Sequence, residues 1–288
     1  MFNTSYCPKA VVMREGAGME QSSKINLNAD MGESYGRYVL GNDEALIPFV
    51  TSIHVACGYH AADPGTMWRS VQLAKRSGVE LGAHISYPDL MGFGRRRMEL
   101  NENEVFEISV YQIGALLGFC RAEGVALNHV KPHGQLYLTG MQDRATARGI
   151  VRAVKAVDPD LVLLMAGSIV AEQCAELGVR MVQEGYIDLD YTPDGSLVLE
   201  RAKMPRDPET IAARAVALLA QQGREAIDGS WLDIPAKSIC VHGDGANAPE
   251  IARAVRDRII AAGYQIVGLR ELADGATQTV ARSRAVGG

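Results

Sequence analysis

From residue 24 almost to its end, the sequence alternates short strand-like runs with longer helical stretches. Seven of the runs are apolar and lack strict alternation, as expected for parallel strands that are buried on both faces. They cover residues 25–30, 52–58, 80–85, 126–131, 161–166, 180–184 and 238–242, and a weaker eighth run covers 265–269. This order of elements restricts the fold more than any other feature of the chain.

Six stretches between the runs have the 3.6-residue apolar period of a helix. They cover residues 64–78, 101–123, 143–157, 169–177, 208–222 and 249–261. Asp63 followed by Pro64 is a typical helix start, and Gly78 is a typical end. The alternation predicts an α/β fold with a single (β/α) barrel, complete or with one strand fewer.

A doubly wound open sheet is the structural alternative. No G-x-G-x-x-G opens a helix after the first predicted strand, and the sequence has no G-x-x-x-x-G-K-[ST] phosphate loop. We therefore expect residues 24–288 to form one catalytic barrel domain, preceded by a flexible extension over residues 1–23. The extension has no basic start followed by an apolar stretch, so it does not resemble a secretion signal.

Composition excludes several classes of protein. With 29 basic and 34 acidic residues the formal charge is −5, which gives no electrostatic footprint for a nucleic-acid backbone. No apolar run approaches the ~18 residues of a membrane span. The 5 cysteines are scattered without a C-x-x-C pair, which argues against a disulfide framework or zinc finger and favours a reducing compartment, the cytoplasm. Cys57 and Cys240 lie on apolar runs, and we expect them to be buried packing residues.

Polar side chains collect where the predicted strands end. The histidines are His54, His60, His84, His129, His133 and His242. The acidic residues at equivalent places are Asp30, Glu33, Asp63, Glu184, Asp188 and Asp244. Because the carboxyl ends of all strands of a parallel barrel meet at one mouth, we expect these groups to converge there.

Two motifs indicate particular chemistry. Lys131 and His133 flank a proline at a strand end, where lysine can act as a base or stabilise negative charge and histidine can transfer protons near neutral pH. Arg95 and Arg96 follow a glycine-rich loop and can clamp a carboxylate or a phosphate.

Six motifs, in this order, resemble the LamB/YcsF family, the A component of the bacterial ATP-dependent 5-oxoprolinase. They are NLNADMGESYG (26–36), ACGYHAADPGTM (56–67), GAHISYPDLMGFGRR (82–96), NHVKPHGQLY (128–137), YTPDGSLV (191–198) and ICVHGDGANA (239–248). The resemblance implies a seven-stranded TIM-like barrel of the glycoside hydrolase/deacetylase superfamily type. It also implies ATP-driven opening of 5-oxo-L-proline to L-glutamate, with ATP and Mg bound through a complex with B- and C-type subunits.

The chain departs from the usual family pattern at several positions. They are Asn26 for Asp, Ala29 for Cys, His54 for Asn, Leu138 for Asn and Leu189 for Arg. An arginine at position 189 could pair with the carboxylate of the substrate. A different small lactam, imide or cyclic amide is therefore an alternative substrate.

We predict two sets of site residues. The catalytic set is Asp30, Glu33, His60, His84, Lys131 and His133. The substrate-binding set is Asp63, Arg95, Arg96, Glu184, Asp188, His242 and Asp244. In the alternative function, a metal-dependent amidohydrolase or deacetylase that works without ATP, Asp30, His60 and His84 would bind a divalent ion.

Overall fold

A computed structural model describes residues 24–198 and 204–274, so the predicted extension at 1–23 and the end of the predicted domain lie outside the described residues. The strands are β1 (Lys24–Met31), β2 (Ser52–Ala56), β3 (Glu80–Ile85), β4 (Leu127–Pro132), β5 (Val162–Met165), β6 (Arg180–Tyr186), β7 (Gly223–Glu225), β8 (Trp231–Asp233), β9 (Ser238–His242) and β10 (Gln265–Ile266). The helices are α1 (Asp43–Leu46), α2 (Pro64–Ser77), α3 (Glu102–Glu123), α4 (Gly134–Gln142), α5 (Arg144–Val157), α6 (Ser168–Leu177), α7 (Pro208–Gln221) and α8 (Ala248–Ala261).

Seven parallel strands form a closed barrel. Strands β1 to β6 pair in chain order, β9 pairs with β6, and β9 also pairs with β1 to close the ring. The register places Asp30 beside His242 and His84 beside Lys131 at the carboxyl ends of the strands. The prediction of a seven-stranded TIM-like barrel is confirmed, and each of the seven predicted runs corresponds to a barrel strand.

The interior of the barrel is polar. On β1, Asn26 and Asn28 point inward, since their amide groups donate to Ser52 Oγ and Ser238 Oγ, both at 2.8 Å. Ile25, Leu27 and Ala29, which alternate with them, belong to the apolar core. We did not expect such strict alternation from the apolar runs. It arises because only the outer face of each strand meets the helix layer.

The predicted helices are confirmed to within a residue or two, and α2 is capped at both ends as the sequence suggested. The Asp63 side chain accepts from the backbone N–H groups of Gly65 and Thr66 at the start of α2, and Gly78 ends that helix with φ +69°. Three elements were missed: the short helix α1, helix α4, which follows β4 directly, and the β7–β8 hairpin. The predicted eighth strand is reduced to β10, which pairs with β1 at its amino end.

From the sequence we expected no apolar run long enough to span a membrane, but helix α3 is such a segment. By length and mean hydropathy alone it could cross a membrane. Its apolar residues have another role, because Val105, Ile113 and Leu116 are buried in the apolar core. An asparagine–glutamate capping box at Asn101 and Glu104 begins the helix.

Candidate active site

The mouth of the barrel contains a pocket with an empty volume of about 380 Å³, including the part open to solvent. It is lined by Asp30, His84, Arg95, Lys131, Pro132, His133, Gly134, Tyr137, Leu138, Tyr186, Leu189, Leu197 and His242. The lining combines charged and imidazole groups with apolar walls, as small-molecule sites usually do. Of the histidines and acidic residues that were predicted to converge, Asp30, His84, His133 and His242 line this pocket.

Lys131 lies at the floor of the pocket, and its side chain is almost completely buried. Its ammonium nitrogen is 3.0 Å from Asp30 Oδ1, 3.0 Å from Glu184 Oε1 and 3.1 Å from Cys240 Sγ. Burial by itself lowers the pKa of Lys131, but the negative charges around it outweigh burial and raise that pKa well above its ordinary value. The lysine is a fixed positive charge rather than a base.

Asp30 is the carboxylate that joins Lys131 to the histidines. Its Oδ1 is 3.4 Å from His84 Nε2, and its Oδ2 is 3.9 Å from His242 Nε2. Burial raises the pKa of Asp30, but the interactions with His84 and Lys131 overcome that effect and lower the pKa well below its ordinary value. Asp30 is therefore ionised at neutral pH.

A second cluster, of Glu33, His60, His84 and His133, lies beside Asp30 and is buried. Glu33 Oε1 is 3.2 Å from His60 Nε2, 3.4 Å from His133 Nδ1 and 3.9 Å from His84 Nε2. The rings of His60 and His133 stack with centroids 3.9 Å apart. The four ligand atoms lie within 4.8 Å of one another, so the cluster could hold a divalent metal.

This cluster differs from the metal-ligand set of the alternative function. His60 and His84 are present as expected, but they are joined by Glu33 and His133, whereas Asp30 pairs with Lys131. Burial lowers the pKa of both His60 and His133 well below the ordinary value, so their neutral imidazole forms are favoured. Asp30 instead forms a second group with Cys240 and His242.

His242 forms a wall of the pocket and is oriented by Asp188. Its Nδ1 lies 2.9 and 3.0 Å from the two carboxylate oxygens of Asp188, and its ring stacks on Tyr186 with centroids 5.4 Å apart. Because a carboxylate can only accept, Nδ1 carries a proton and Nε2 is directed towards Asp30. An imidazole held in this way can exchange protons with a ligand in the pocket.

The two predicted arginines have different surroundings. Arg95 lines the pocket and pairs with Asp244, with Nη2 and Oδ2 2.9 Å apart. Arg96 points away from it, with a side chain 67% exposed, and its Nε donates to Asp89 at 2.8 Å. Only Arg95 is placed to contact a ligand.

Asp63 is also directed away from the pocket. Besides capping α2, it accepts a hydrogen bond from the Gly36 N–H at 2.8 Å. The hydrogen bond from Gly36, followed by those from Thr66 and Gly65, lowers its pKa to about 2. Of the predicted substrate-binding residues, Asp63 and Arg96 therefore have structural partners elsewhere.

Sequence reasoning missed Tyr137 and Tyr186. Both line the pocket, and the Lys131 ammonium lies 5.3 Å from the centre of the Tyr186 ring. The strand containing Tyr186 continues two residues beyond the predicted run, and Tyr137 lies on the helix α4 that was not predicted. Nothing in the sequence distinguishes a tyrosine of the site from a tyrosine that only packs in the core.

Cys240 is buried as expected, but it contacts Lys131 and so belongs to the site floor.

A buried polar chain supports the site floor from below. Asn28 donates to Glu184 Oε1 at 3.1 Å, and its amide oxygen is 2.9 Å from His54 Nε2. His54 Nδ1 is in turn 2.8 Å from His129 Nε2. His54 and His129, expected near the mouth, are thus interior residues that support the side chains around Lys131.

Residues 25–274 match the sequence profile of the LamB/YcsF family. The chain belongs to the LamB/YcsF family. A family relative from Thermus thermophilus, named as the A component of 5-oxoprolinase, is 46% identical over 248 residues, which are 84% of this chain and 98% of the relative. A protein of the same name from Pyrococcus furiosus is 44% identical over 247 residues, with 85% and 97% covered.

A solved family structure has the same fold. It is described as a lactam utilization protein from Thermus thermophilus, is 44% identical in sequence and superposes with a TM-score of 0.77. The comparison covers 85% of this chain and 100% of that one. The pocket and both buried clusters lie within the region that matches the LamB/YcsF family.

Proposed function

We propose that this protein opens a small lactam, 5-oxo-L-proline in the first instance, by hydrolysis to an amino acid, L-glutamate. The observation that carries the proposal is the buried Lys131 ammonium at the floor of a small pocket, held charged by Asp30 and Glu184 at 3.0 Å. The names of the similar proteins, which refer to 5-oxoprolinase and to lactam utilization, support the substrate class.

The chemistry of a lactam explains why such a floor is useful. A lactam is a resonance-stabilised amide, and attack on its ring carbon places negative charge on the carbonyl oxygen. A preorganised ammonium in a water-poor site stabilises that charge far more than water does. We assign this role to Lys131, and the role of accepting a proton from the attacking water to Asp30. His242, oriented by Asp188 through Nδ1, would take that proton from Asp30 on Nε2 and pass it to the ring nitrogen as the C–N bond breaks.

Substrate binding would depend on Arg95. The family arginine is replaced by Leu189, which lines the pocket as an apolar wall. Arg95 is the guanidinium that lines the same pocket, and it can offer a forked pair of donors to the α-carboxylate of 5-oxo-L-proline. The apolar side chain of Leu189 would then pack against the methylene groups of the lactam ring.

We further propose that the reaction is coupled to ATP hydrolysis and takes place in a complex with B- and C-type subunits. The amide oxygen would take the γ-phosphoryl group of ATP with release of ADP, and Lys131 would then face the charge on that phosphorylated oxygen. Water would add to the ring carbon, the C–N bond would break, and hydrolysis of the resulting acyl phosphate would release inorganic phosphate, so that ATP hydrolysis drives an opening that is unfavourable near neutral pH. The relatives are named as one component of 5-oxoprolinase, which supports a multi-subunit enzyme. Because the sequence has no P-loop, ATP with Mg would be bound through the complex.

One experiment tests the proposal. The protein is incubated with 5-oxo-L-proline and a panel of small lactams, imides and cyclic amides, with and without B- and C-type subunits and ATP. Amino-acid product and inorganic phosphate are measured together. We expect product only in the complete mixture, with one phosphate released for each ring opened. Release of phosphate without product from any compound of the panel would contradict the proposal.

The second candidate is a metal-dependent amidohydrolase that needs no ATP. The buried cluster of Glu33 and three histidines favours it, because such a set can bind a divalent ion next to the pocket. The same experiment separates the two candidates. Product formed by this chain alone, without ATP, would support the amidohydrolase and contradict the ATP-driven reaction.

A further inference from the structure

We propose that Glu33, His60, His84 and His133 form a metal site that binds one divalent ion of the zinc type. Three imidazoles and one carboxylate, all buried, are a typical ligand set for Zn²⁺. The proposal does not depend on the lactam reaction, because its evidence is the protonation pattern and the spacing of these four side chains.

The outer hydrogen bonds of two histidines determine where their protons are. His84 Nδ1 lies 3.0 Å from the backbone oxygen of Lys131, and His133 Nε2 lies 2.9 Å from the backbone oxygen of Phe93. A carbonyl oxygen can only accept, so each of these ring nitrogens must carry a proton. In a neutral ring the other nitrogen then has a lone pair. These lone pairs are on His84 Nε2 and His133 Nδ1.

Those two nitrogens face each other at 3.1 Å in a buried place. Two lone pairs at this distance repel, and the negatively charged Glu33 Oε1 lies 3.4 Å from His133 Nδ1 and 3.9 Å from His84 Nε2. A cation between the three atoms turns this repulsion into attraction. Metal-binding histidines characteristically donate their outer N–H to a backbone carbonyl or a carboxylate, as both rings do here.

The spacing also fits a tetrahedral ion. With zinc–ligand bonds of about 2.0–2.1 Å, adjacent ligand atoms of a tetrahedron are about 3.3–3.4 Å apart. Four of the six separations here are 3.1 Å for His84–His133, 3.2 Å for Glu33–His60, and 3.4 and 3.9 Å for Glu33 with His133 and His84. The other two, from His60 to His84 and to His133, are within 4.8 Å. Small adjustments of the side chains would bring all four atoms into coordination distance.

The loop that supplies the Phe93 carbonyl is built for close contact with the cluster. Phe93 has φ +54° and Gly94 has φ +65°, and a Cβ at Gly94 would approach His133 Cδ2 to 2.9 Å and His60 Cβ to 3.1 Å. A positive φ at a phenylalanine is unfavourable, and such strain tends to persist where function needs it. Here it places a carbonyl against His133 and covers the stacked pair of His60 and His133.

The competing arrangement places a proton instead of a metal in the cluster. If one ring were an imidazolium, it would donate to the other ring and Glu33 would balance its charge. That arrangement predicts a protein that contains no metal and binds none. Metal analysis therefore distinguishes the two directly.

The test uses the full chain, alone, without lactam, ATP or other subunits. The purified protein is incubated with Zn²⁺, freed of unbound metal by gel filtration and analysed by plasma mass spectrometry. We expect about one zinc per chain. Replacement of zinc by Co²⁺ should give the intense visible absorption of a tetrahedral cobalt site. The variants His84→Ala and His133→Ala should each reduce zinc affinity at least 10-fold, and His60→Gln is a milder third variant.

His242→Asn is the matched control, because His242 is a pocket histidine outside the proposed site. It should retain one zinc per chain, and circular dichroism confirms that each variant is folded. Less than a tenth of an equivalent of zinc in the folded wild-type protein would overturn the proposal, as would unchanged zinc binding by folded His84→Ala and His133→Ala. A protein that binds zinc as expected but opens no lactam would contradict the proposed function and leave the metal site intact.

Discussion

At the scale of single residues, the site depends on which charged groups are buried together. Lys131 is a buried cation with two carboxylates at 3.0 Å, Asp30 and Glu184. Removal of one member of a buried ionic group leaves uncompensated charge, which is far more costly than the loss of an exposed ion pair. The same side chain is also the one that we place against the carbonyl oxygen of the substrate.

Lys131→Met tests both roles, because it keeps the volume of the side chain and removes its charge. We expect turnover to fall by a factor on the order of 10² or more, since stabilisation of the oxyanion is lost. Stability should fall by about 3–5 kcal/mol, because two carboxylates are left without their cation. Steady-state kinetics and urea unfolding measure the two effects. A folded variant with unaltered turnover would remove Lys131 from the proposed mechanism.

The adjacent arginines provide a matched pair of variants. Arg95 lines the pocket, whereas the Arg96 side chain is 67% exposed and pairs with Asp89. Arg95→Ala should raise the KM for 5-oxo-L-proline at least 10-fold, because the carboxylate loses its charged partner. Arg96→Ala should leave KM within about 2-fold of wild type, as expected for an exposed ion pair. Equal effects of the two variants would contradict the assignment of Arg95.

At the scale of elements, most barrel strands deliver polar groups at their carboxyl ends, and several helices begin with a capping side chain. Acidic residues serve both purposes, so an acidic residue that follows a strand can either contribute to the site or cap the next helix. Asp30 belongs to the site, whereas Asp63 caps α2 and holds the Gly36 N–H. The hydrogen-bond partners of each carboxylate separate the two cases.

Asp63→Ala should therefore affect stability rather than catalysis. Loss of the cap at the start of α2 is expected to cost about 0.5–2 kcal/mol in the free energy of unfolding. The KM for the lactam should stay unchanged, because the side chain lies outside the pocket. Thermal unfolding and kinetics on the same sample measure both. A large increase in KM without loss of stability would restore Asp63 to the substrate-binding set.

Gly82 on β3 tests how tightly the barrel interior is packed. A Cβ at this position would collide with the ring of His129, which His54 holds at 2.8 Å. Gly82→Ala should destabilise the protein by about 1–3 kcal/mol, as overpacking of a core does. The control is Gly114→Ala on an exposed part of α3, where a Cβ meets nothing within 4 Å. That variant should be stabilising by about 0.5–1 kcal/mol, because alanine favours the helix. The same sign for both variants in urea unfolding would contradict this view of the interior.

At the scale of the whole molecule, the barrel has an apolar outer layer and a polar, hydrogen-bonded centre. Such a centre stabilises the fold only while its members keep the protonation states that satisfy one another. Burial lowers the pKa of His129 to about 3 and that of His54 well below its ordinary value. Both histidines are therefore neutral in the folded protein at neutral pH.

This gives stability a defined dependence on pH. In the unfolded chain these histidines titrate at a pKa of about 6.5, so below that pH the unfolded state binds protons that the folded state does not. The free energy of unfolding should fall as the pH is lowered from about 6.5 towards 3, by about 1.4 kcal/mol per pH unit for each group. His129→Gln should lose one such contribution. Urea unfolding between pH 7 and pH 4 compares the slopes, and identical slopes for variant and wild type would contradict the role of His129.

Much of the fold could be predicted because it is encoded in local patterns. Apolar period, helix caps and glycine stops depend on residues close together in the chain, and they located the seven barrel strands and six of the helices. The order of motifs, from Asn26 to Ala248, also placed the chain in its family. Helix α4 was not predicted, because it follows β4 without a polar loop or a capping side chain.

The chain order of strands, the polar motifs at their ends and the family were thus determined by the sequence alone. Only the tertiary structure decided how the polar groups are divided: Glu33 joins three histidines, Asp30 joins Lys131, and Asp63 and Arg96 turn away from the pocket. These groupings depend on the register at which the barrel closes and on contacts between residues far apart in the chain. A motif specifies the side chains that it carries, but the neighbours of those side chains are set by the other strands.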